Sequence, residues 1–116
     1  MISAELLLSK STITIDVHLN ENKVPENITW QASDTTIEKA QKAKAMMLSV
    51  WDSKAQETLR IDLWTKDMPV NDMFILYHQN MMGMATSLEK STGEGKLAEG
   101  LRDYCAFFAE KTKILG

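Results

Sequence analysis

Cysteine, proline and glycine are all scarce in this chain of 116 residues, which contains one cysteine, two prolines and five glycines. A single cysteine, Cys105, excludes an intrachain disulfide and a cysteine-rich metal site. A catalytic thiol needs a basic partner, and His18 and His78 are the only histidines. Because Cys105 lies in the apolar stretch 104–108, we expect a buried and unreactive thiol.

Long apolar runs and strong charge are absent as well. No run is long enough to cross a bilayer, and the apolar residues near the start are interrupted by Glu5 without a basic region before them, which argues against a secretory signal. The sequence therefore predicts a cytoplasmic protein without membrane insertion. A net charge of -3 offers no basic stripe for nucleic acid. With 44% hydrophobic residues, the composition predicts a tail over 1–10 and one globular domain over 11–116.

Alternation of apolar and polar residues predicts three strands, over 11–19, 28–32 and 58–65, and in the last of these it points Leu59, Ile61 and Leu63 into the core. The first two would form an antiparallel hairpin. Pro25 cannot donate a ladder hydrogen bond, which favours an edge position for the second strand. The third strand would lie parallel to the second, either beside it or beyond the first, and we favour the order 2-1-3.

Helical periodicity predicts three helices, over 34–51, from 67–69 to about residue 90, and over 96–115, with a break at 91–95 before the last. The predicted core face of the last helix consists of Leu97, Leu101, Tyr104, Phe108 and Leu115. The first has capping-box spacing at its start, and Asp67 is placed to cap the second ahead of Pro69. The order ββαβαα is typical of an α+β fold. We expect a small, mainly antiparallel three-stranded sheet that is covered on one face by the three helices.

The residues that commonly carry catalysis do not form a recognisable motif. Dinucleotide and phosphate loops, and a glycine-flanked nucleophilic serine, are missing. His18 with Asp16 and Asp62 is more typical of a cross-strand polar set than of a metal site. Asp62 and Asp67 have nearby basic residues, which favours salt bridges and capping over paired acid–base work. We therefore expect no enzymatic activity, no metal and no cofactor.

Some large apolar residues fall outside the predicted core. Ile75 and Met82 lie off the apolar stripe of their helix, and Trp64 projects from its strand among charged neighbours. Single exposed apolar residues are common, but tryptophan and methionine are also enriched at protein interfaces. The chain has eight methionines, of which most fall on predicted core stripes and a few, such as Met82, point outward.

A long central run resembles a known family. The segment 58–70, which reads TLRIDLWTKDMPV, is similar to the signature of the gliding-motility-associated protein GldC family, and so are the segments 15–19, 24–30 and 43–52. The resemblance covers roughly residues 11–114. It implies a small cytoplasmic accessory protein of the Bacteroidetes gliding machinery, and it carries over no catalytic residue.

Two hypotheses follow. In the first, the chain is a non-enzymatic adaptor or chaperone-like module that binds a protein of the gliding machinery, and Ile75 with Met82 also offers a homodimer contact. The candidate interaction residues are Arg60, Asp62, Trp64, Lys66, Ile75 and Met82. The alternative is a small-ligand binder or enzyme with a pocket between the sheet and the last two helices, lined by Tyr77 and His78 with Arg60 and Asp62.

Overall fold

The computed structural model describes residues 9–33 and 40–114, which divide between Met68 and Pro69 into two compact units. The first unit is built from strands and the second from helices. In chain order the elements are β1 (Ile13–Leu19), β2 (Pro25–Ala32), β3 (Gln41–Ala43), β4 (Ala45–Asp52), β5 (Glu57–Trp64), α1 (Val70–Thr92) and α2 (Gly95–Thr112). The mixed α+β class is confirmed. The order ββαβαα and the count of three helices are wrong for the described residues.

The predicted first hairpin is confirmed as β1 and β2, which pair antiparallel with Ile15 opposite Trp30. Its turn is built by a side chain, because Asn20 Oδ1 accepts the backbone N–H groups of Asn22 at 2.8 Å and Val24 at 3.0 Å. Lys23 takes a left-handed conformation there, with φ at 61°. This is the local chemistry by which asparagine favours turns.

The position of β2 corrects the expected strand order. The first sheet has the order β1-β2-β3, so β2 is central and β1 is not. Pro25 is tolerated because it is the first residue of β2, opposite Leu19, beyond an irregularity in the register at His18 and Leu19. The proline therefore marks the start of the strand and does not place it at an edge.

The predicted helix over 34–51 is wrong. Residues 34–39 lie outside the described part of the chain, and most of the remainder forms β3 and β4. The run from Met46 to Trp51 fits a helical period and an alternating period equally well, and Val50 and Trp51 favour a strand. Pairing of β4 with β5 decides between the two periods.

The third predicted strand is confirmed as β5, but its neighbour was wrongly predicted. β5 pairs antiparallel with β4 in a separate two-stranded sheet and does not lie parallel to β2. The turn between β4 and β5 is again organised by a side chain, since Asp52 Oδ1 accepts the N–H groups of Lys54 and Ala55. Gln56 completes it in a left-handed conformation, with φ at 54°.

The helical unit contains the other two predicted helices. α1 begins after Pro69, which occupies the N-cap position without a side-chain cap, so the predicted capping role of Asp67 is wrong. α1 ends at Gly93, whose φ of 76° is the left-handed conformation that glycine adopts without a steric penalty. The predicted break at 91–95 is therefore confirmed. Leu115, placed on the predicted stripe of the last helix, lies outside the described residues.

The two helices pack through small side chains. The buried residues of this unit are Ala85, Ala98, Cys105 and Ala109. Cys105 is a free thiol buried as expected. Phe108 of α2 contacts the rings of Phe74 and His78 of α1, and Arg102 bridges Glu89 at 2.9 Å. Leu97 and Tyr104, which were predicted to be core residues, are exposed, because small residues let the helices approach along a different stripe.

Candidate functional site

The hairpin of β4 and β5 has one face on which three of the four cross-strand pairs are apolar, and the fourth pair, Asp52 with Glu57, lies next to the turn. Residues directly opposite each other in an antiparallel pair project to the same side, and the register sets Met46 opposite Leu63. The next two pairs on that side are also apolar. We call this surface the apolar hairpin face, and its members are Met46, Leu48, Val50, Leu59, Ile61 and Leu63.

Much of the apolar hairpin face is accessible. Val50 is 51% exposed, Leu59 55% and Ile61 52%, whereas Met46 and Leu63 near the base of the hairpin are half-buried. The sequence predicted that Leu59 and Ile61 point into a core, and this is wrong. Contiguous apolar surface of this kind marks interaction sites more often than scattered apolar residues do.

The opposite face of β5 carries three of the predicted site residues. Arg60 donates to both carboxylate oxygens of Asp62, with the shortest contact at 3.0 Å, and to Ser49 Oγ at 3.0 Å. Trp64 lies on the same face and is 51% exposed, as the alternation predicted. Asp62 belongs to a different sheet from Asp16 and His18, so the polar set proposed for those three residues does not share one sheet face.

Trp64 borders a shallow groove in the β unit. The groove encloses about 280 Å³ and is lined by Lys23, Val24 and Pro25 on one side and by Asp62, Leu63 and Trp64 on the other. Its lining is mainly apolar, with one charge of each sign. The contribution of Lys23 and Val24 was not foreseen, because those residues are far from Trp64 in the sequence and reach it only through the fold.

A polar cluster lies at the point where the chain passes from β3 to β4. The Thr65 hydroxyl donates to Asp67 Oδ1 at 2.6 Å, and Lys44 Nζ lies 3.4 Å from Asp67 Oδ2. The hydrogen bond from Thr65 lowers the pKa of Asp67, desolvation raises it, and the Lys44 ammonium lowers it again, so the pKa lies below its ordinary value of 3.8. Lys66, another predicted site residue, is exposed in this turn.

The remaining predicted site residues belong to the helical unit. On α1, Ile75 is half-buried, Met82 is 40% exposed and Tyr77 is exposed. His78 is half-buried and stacks on Phe108, with ring centroids 6.4 Å apart. An open groove of about 510 Å³ runs along α1, but its lining includes neither Tyr77 nor His78; it consists of Leu76, Gln79, Asn80, Gly83, Met84 and Ser87.

Two searches of the described residues bear on chemistry and location. Across 9–33 and 40–114, no group of three or more histidine, cysteine, aspartate or glutamate side chains is arranged to hold a metal ion. None of the helices in that part of the chain combines the length and the apolar character that a bilayer crossing requires.

These features define a small α+β protein whose β unit exposes three apolar residue pairs on one face of a two-stranded hairpin. Residues 25–114 match the family of gliding motility-associated, GldC-like proteins, and because the match covers most of the chain, the chain belongs to that family. The resemblance seen in the sequence is thereby confirmed. No curated protein and no solved structure matches the chain.

Proposed function

We propose that this chain is a non-enzymatic, cytoplasmic accessory protein of gliding motility that binds another protein through the apolar hairpin face. The membership of the GldC-like family supports the link to gliding. The observation that carries the binding role is the exposure of Val50, Leu59 and Ile61 within three consecutive apolar pairs of the same face.

The energetics favour an apolar partner segment. Fully burying a large aliphatic side chain contributes about 1.5–3 kcal/mol, so covering the exposed half of one contributes roughly 1 kcal/mol. The three apolar rows extend about 14 Å along the strands, at a rise of about 3.4 Å per residue. A partner that presents an apolar strand or one apolar face of a helix fits a surface of this length, and covering the three apolar rows alone desolvates no ion.

Two features argue for binding and against catalysis. The charged pairs of the β unit are Arg60 with Asp62 and Lys44 with Asp67, and in the second pair more than half of each side chain is exposed, although both residues line a small cavity of about 220 Å³. The alternative, a ligand pocket lined by Tyr77 and His78, has less support, because His78 is engaged in packing against Phe108.

The test is a gliding assay with a matched pair of variants in the source cell. Leu48→Glu with Val50→Lys places opposite charges two residues apart on the apolar hairpin face, in the arrangement that Arg60 and Asp62 already use on the other face. The control, Leu97→Glu with Val70→Lys, makes the same two changes at exposed positions of the helical unit.

We expect the hairpin variant to abolish surface spreading while the control glides normally, with equal protein levels on an immunoblot and unchanged circular dichroism. Normal spreading of the hairpin variant contradicts the proposal. If the charged variant is degraded, Leu48→Thr with Val50→Thr removes apolar surface while keeping residues that favour strands, and it should reduce spreading at normal protein level.

A further inference from the structure

In the described part of the chain, no strand pairs with one of the two long edges of β5. Among the described residues, β4 is the only strand hydrogen-bonded to it. The strand has eight residues and contains neither proline nor glycine. Unprotected edges of this kind are templates for pairing with another chain, and proteins usually shorten, bend or cover them.

One backbone hydrogen bond establishes which groups point to that edge. The Thr65 N–H donates to the Lys44 carbonyl at 2.8 Å, immediately beyond the Ala45–Trp64 pair. In an antiparallel ladder, hydrogen-bonded and non-hydrogen-bonded pairs alternate, so Leu63, Ile61 and Leu59 exchange hydrogen bonds with β4. The backbone groups of the residues between them, Arg60 and Asp62 included, therefore point to the open edge.

We propose that a second copy of this chain pairs antiparallel along the open edge of β5, with a two-fold axis beside Ile61. In this register Arg60 of each copy lies opposite Asp62 of the other copy, and Leu59 lies opposite Leu63. Each Arg60–Asp62 pair exchanges hydrogen bonds through the backbone groups that point outward, so the ladder and the charges select the same alignment.

The charge pattern of β5 is self-complementary about Ile61 and favours this register over its neighbours. Moving the axis to Arg60 sets two guanidiniums opposite each other, and moving it to Asp62 sets two carboxylates opposite each other, both of which are unfavourable. The ion pair within each strand, at 3.0 Å, already holds both charged groups on one face of β5. A cluster of four alternating charges then forms across the two-fold axis.

This dimer uses a surface different from the apolar hairpin face and from the contact through Ile75 and Met82 considered for the sequence. It joins two hairpins into one four-stranded sheet, so that Leu59, Ile61 and Leu63 of both copies lie on the same side. The dimer and the proposed function can be tested separately, because the variants Leu48→Glu and Val50→Lys change side chains of β4 and leave the edge of β5 unaltered.

The first test uses charge reversal and sedimentation of the full chain over a range of concentrations. Wild type should form a reversible dimer. Arg60→Asp gives two carboxylates per edge and Asp62→Arg gives two guanidiniums. The dimer dissociation constant of each variant alone should therefore be at least about tenfold higher than that of wild type. Mixing the two variants places carboxylates opposite guanidiniums at both positions and should restore a dimer of one copy of each.

Restoration by mixing is the decisive result, because a general loss of folding in either variant cannot produce it. Glu99→Arg, an exposed charge reversal on α2, should leave the wild-type dimer unchanged. The proposal is overturned if wild type stays monomeric over the whole concentration range, since the edge would then accept only a strand of another protein. It is also overturned if the mixture of the two variants remains as dissociated as each variant alone.

A second test measures the register by disulfide formation. Ile61→Cys places two thiols opposite each other at a non-hydrogen-bonded pair, where Cα atoms are about 4.5 Å apart, within the range that a disulfide spans. Mild oxidation should yield a crosslinked dimer. Leu59→Cys, on the same face and 55% exposed, is the matched control. Its counterpart lies four residues away along the strand, about 14 Å, which is too far to crosslink.

The native Cys105 is buried and should not contribute to crosslinking in the folded protein. Equal crosslinking of the Ile61→Cys and Leu59→Cys variants would overturn the register, and failure of Ile61→Cys to crosslink at a concentration where wild type is dimeric would overturn the two-fold position.

Discussion

The backbone N–H of Thr65 donates to the carbonyl of Lys44 at 2.8 Å, one residue beyond the last pair of the β4–β5 ladder. This bond lies where the chain leaves the sheet of β1, β2 and β3 and enters the hairpin of β4 and β5. It extends the hairpin ladder to Thr65, and it holds Lys44 beside Asp67. This hydrogen bond therefore marks the junction at which the polar cluster lies, and it shows which backbone groups of β5 point away from β4.

Asp67 should contribute to acid sensitivity of the fold. Its pKa in the folded state is lowered by the Thr65 hydrogen bond and by Lys44, so its stabilising contribution is complete above its ordinary value of 3.8 and is lost as the pH falls through the folded value. The melting temperature of Asp67→Asn should therefore lie below that of wild type near neutral pH, and the gap should narrow below pH 3.8. A difference in melting temperature that does not change with pH would contradict the role of the ionised Asp67 carboxylate.

Thr65 should control the titration of Asp67 more strongly than Lys44 does. Thr65→Val removes the 2.6 Å hydrogen bond while preserving the shape of the buried side chain, so the pKa of Asp67 should rise toward its ordinary value. Carboxyl carbon NMR of Asp67 measures this directly. Thr65→Ser keeps the hydroxyl and serves as the control. Lys44→Gln should raise the pKa of Asp67 less than Thr65→Val does. A larger rise from Lys44→Gln would mean that the ammonium group, and not the Thr65 hydroxyl, is the main cause of the lowered pKa.

Two glycines of α1 should respond to alanine in opposite directions. Gly93 ends the helix with φ at 76°, so Gly93→Ala introduces backbone strain and should lower the free energy of unfolding by about 1 kcal/mol. Gly83 lies within the helix, and an added Cβ meets nothing within 4 Å. Gly83→Ala should therefore raise the free energy of unfolding, by up to about 1 kcal/mol, because alanine favours the helix. Urea titration measures both, and equal signs would contradict the prediction.

The contact between the helices should be intolerant of larger side chains. Ala98 is completely buried, so Ala98→Leu should lower the free energy of unfolding by about 1–3 kcal/mol through overpacking. Ala106→Leu makes the same change at an exposed position of α2 and should alter it by less than about 0.5 kcal/mol. The comparison fails if both variants unfold at the same urea concentration as wild type.

Local patterns were sufficient for some elements and insufficient for others. β1, β5, α1 and α2 were predicted close to their observed ranges, because each has one dominant period and a clear turn or glycine at its end. The segment 45–52 was assigned to a helix because its apolar residues satisfy both periods. A strand needs a partner strand to pair its backbone N–H and carbonyl groups, and the pairing of β4 with β5 is visible only in the fold.

The candidate site divides in the same way. The outward positions of Arg60 and Asp62 and the exposure of Trp64 agree with the alternation of β5. The exposure of Leu59 and Ile61 was missed, because alternation distinguishes the two faces of a strand without showing which face is covered. The groove beside Trp64 was also missed, since it joins β5 to the turn before β2.

By itself, the sequence determined the α+β class, the family, the two helices and the alternation of β5, because each depends on neighbours within a few residues or on a contiguous signature. Only the tertiary structure decided that β4 is a strand, that it pairs with β5 in a second sheet, and that the described residues leave an apolar face exposed and one edge of β5 without a strand. Covering of a face and pairing of an edge are properties of contacts between distant segments, and no local pattern encodes them.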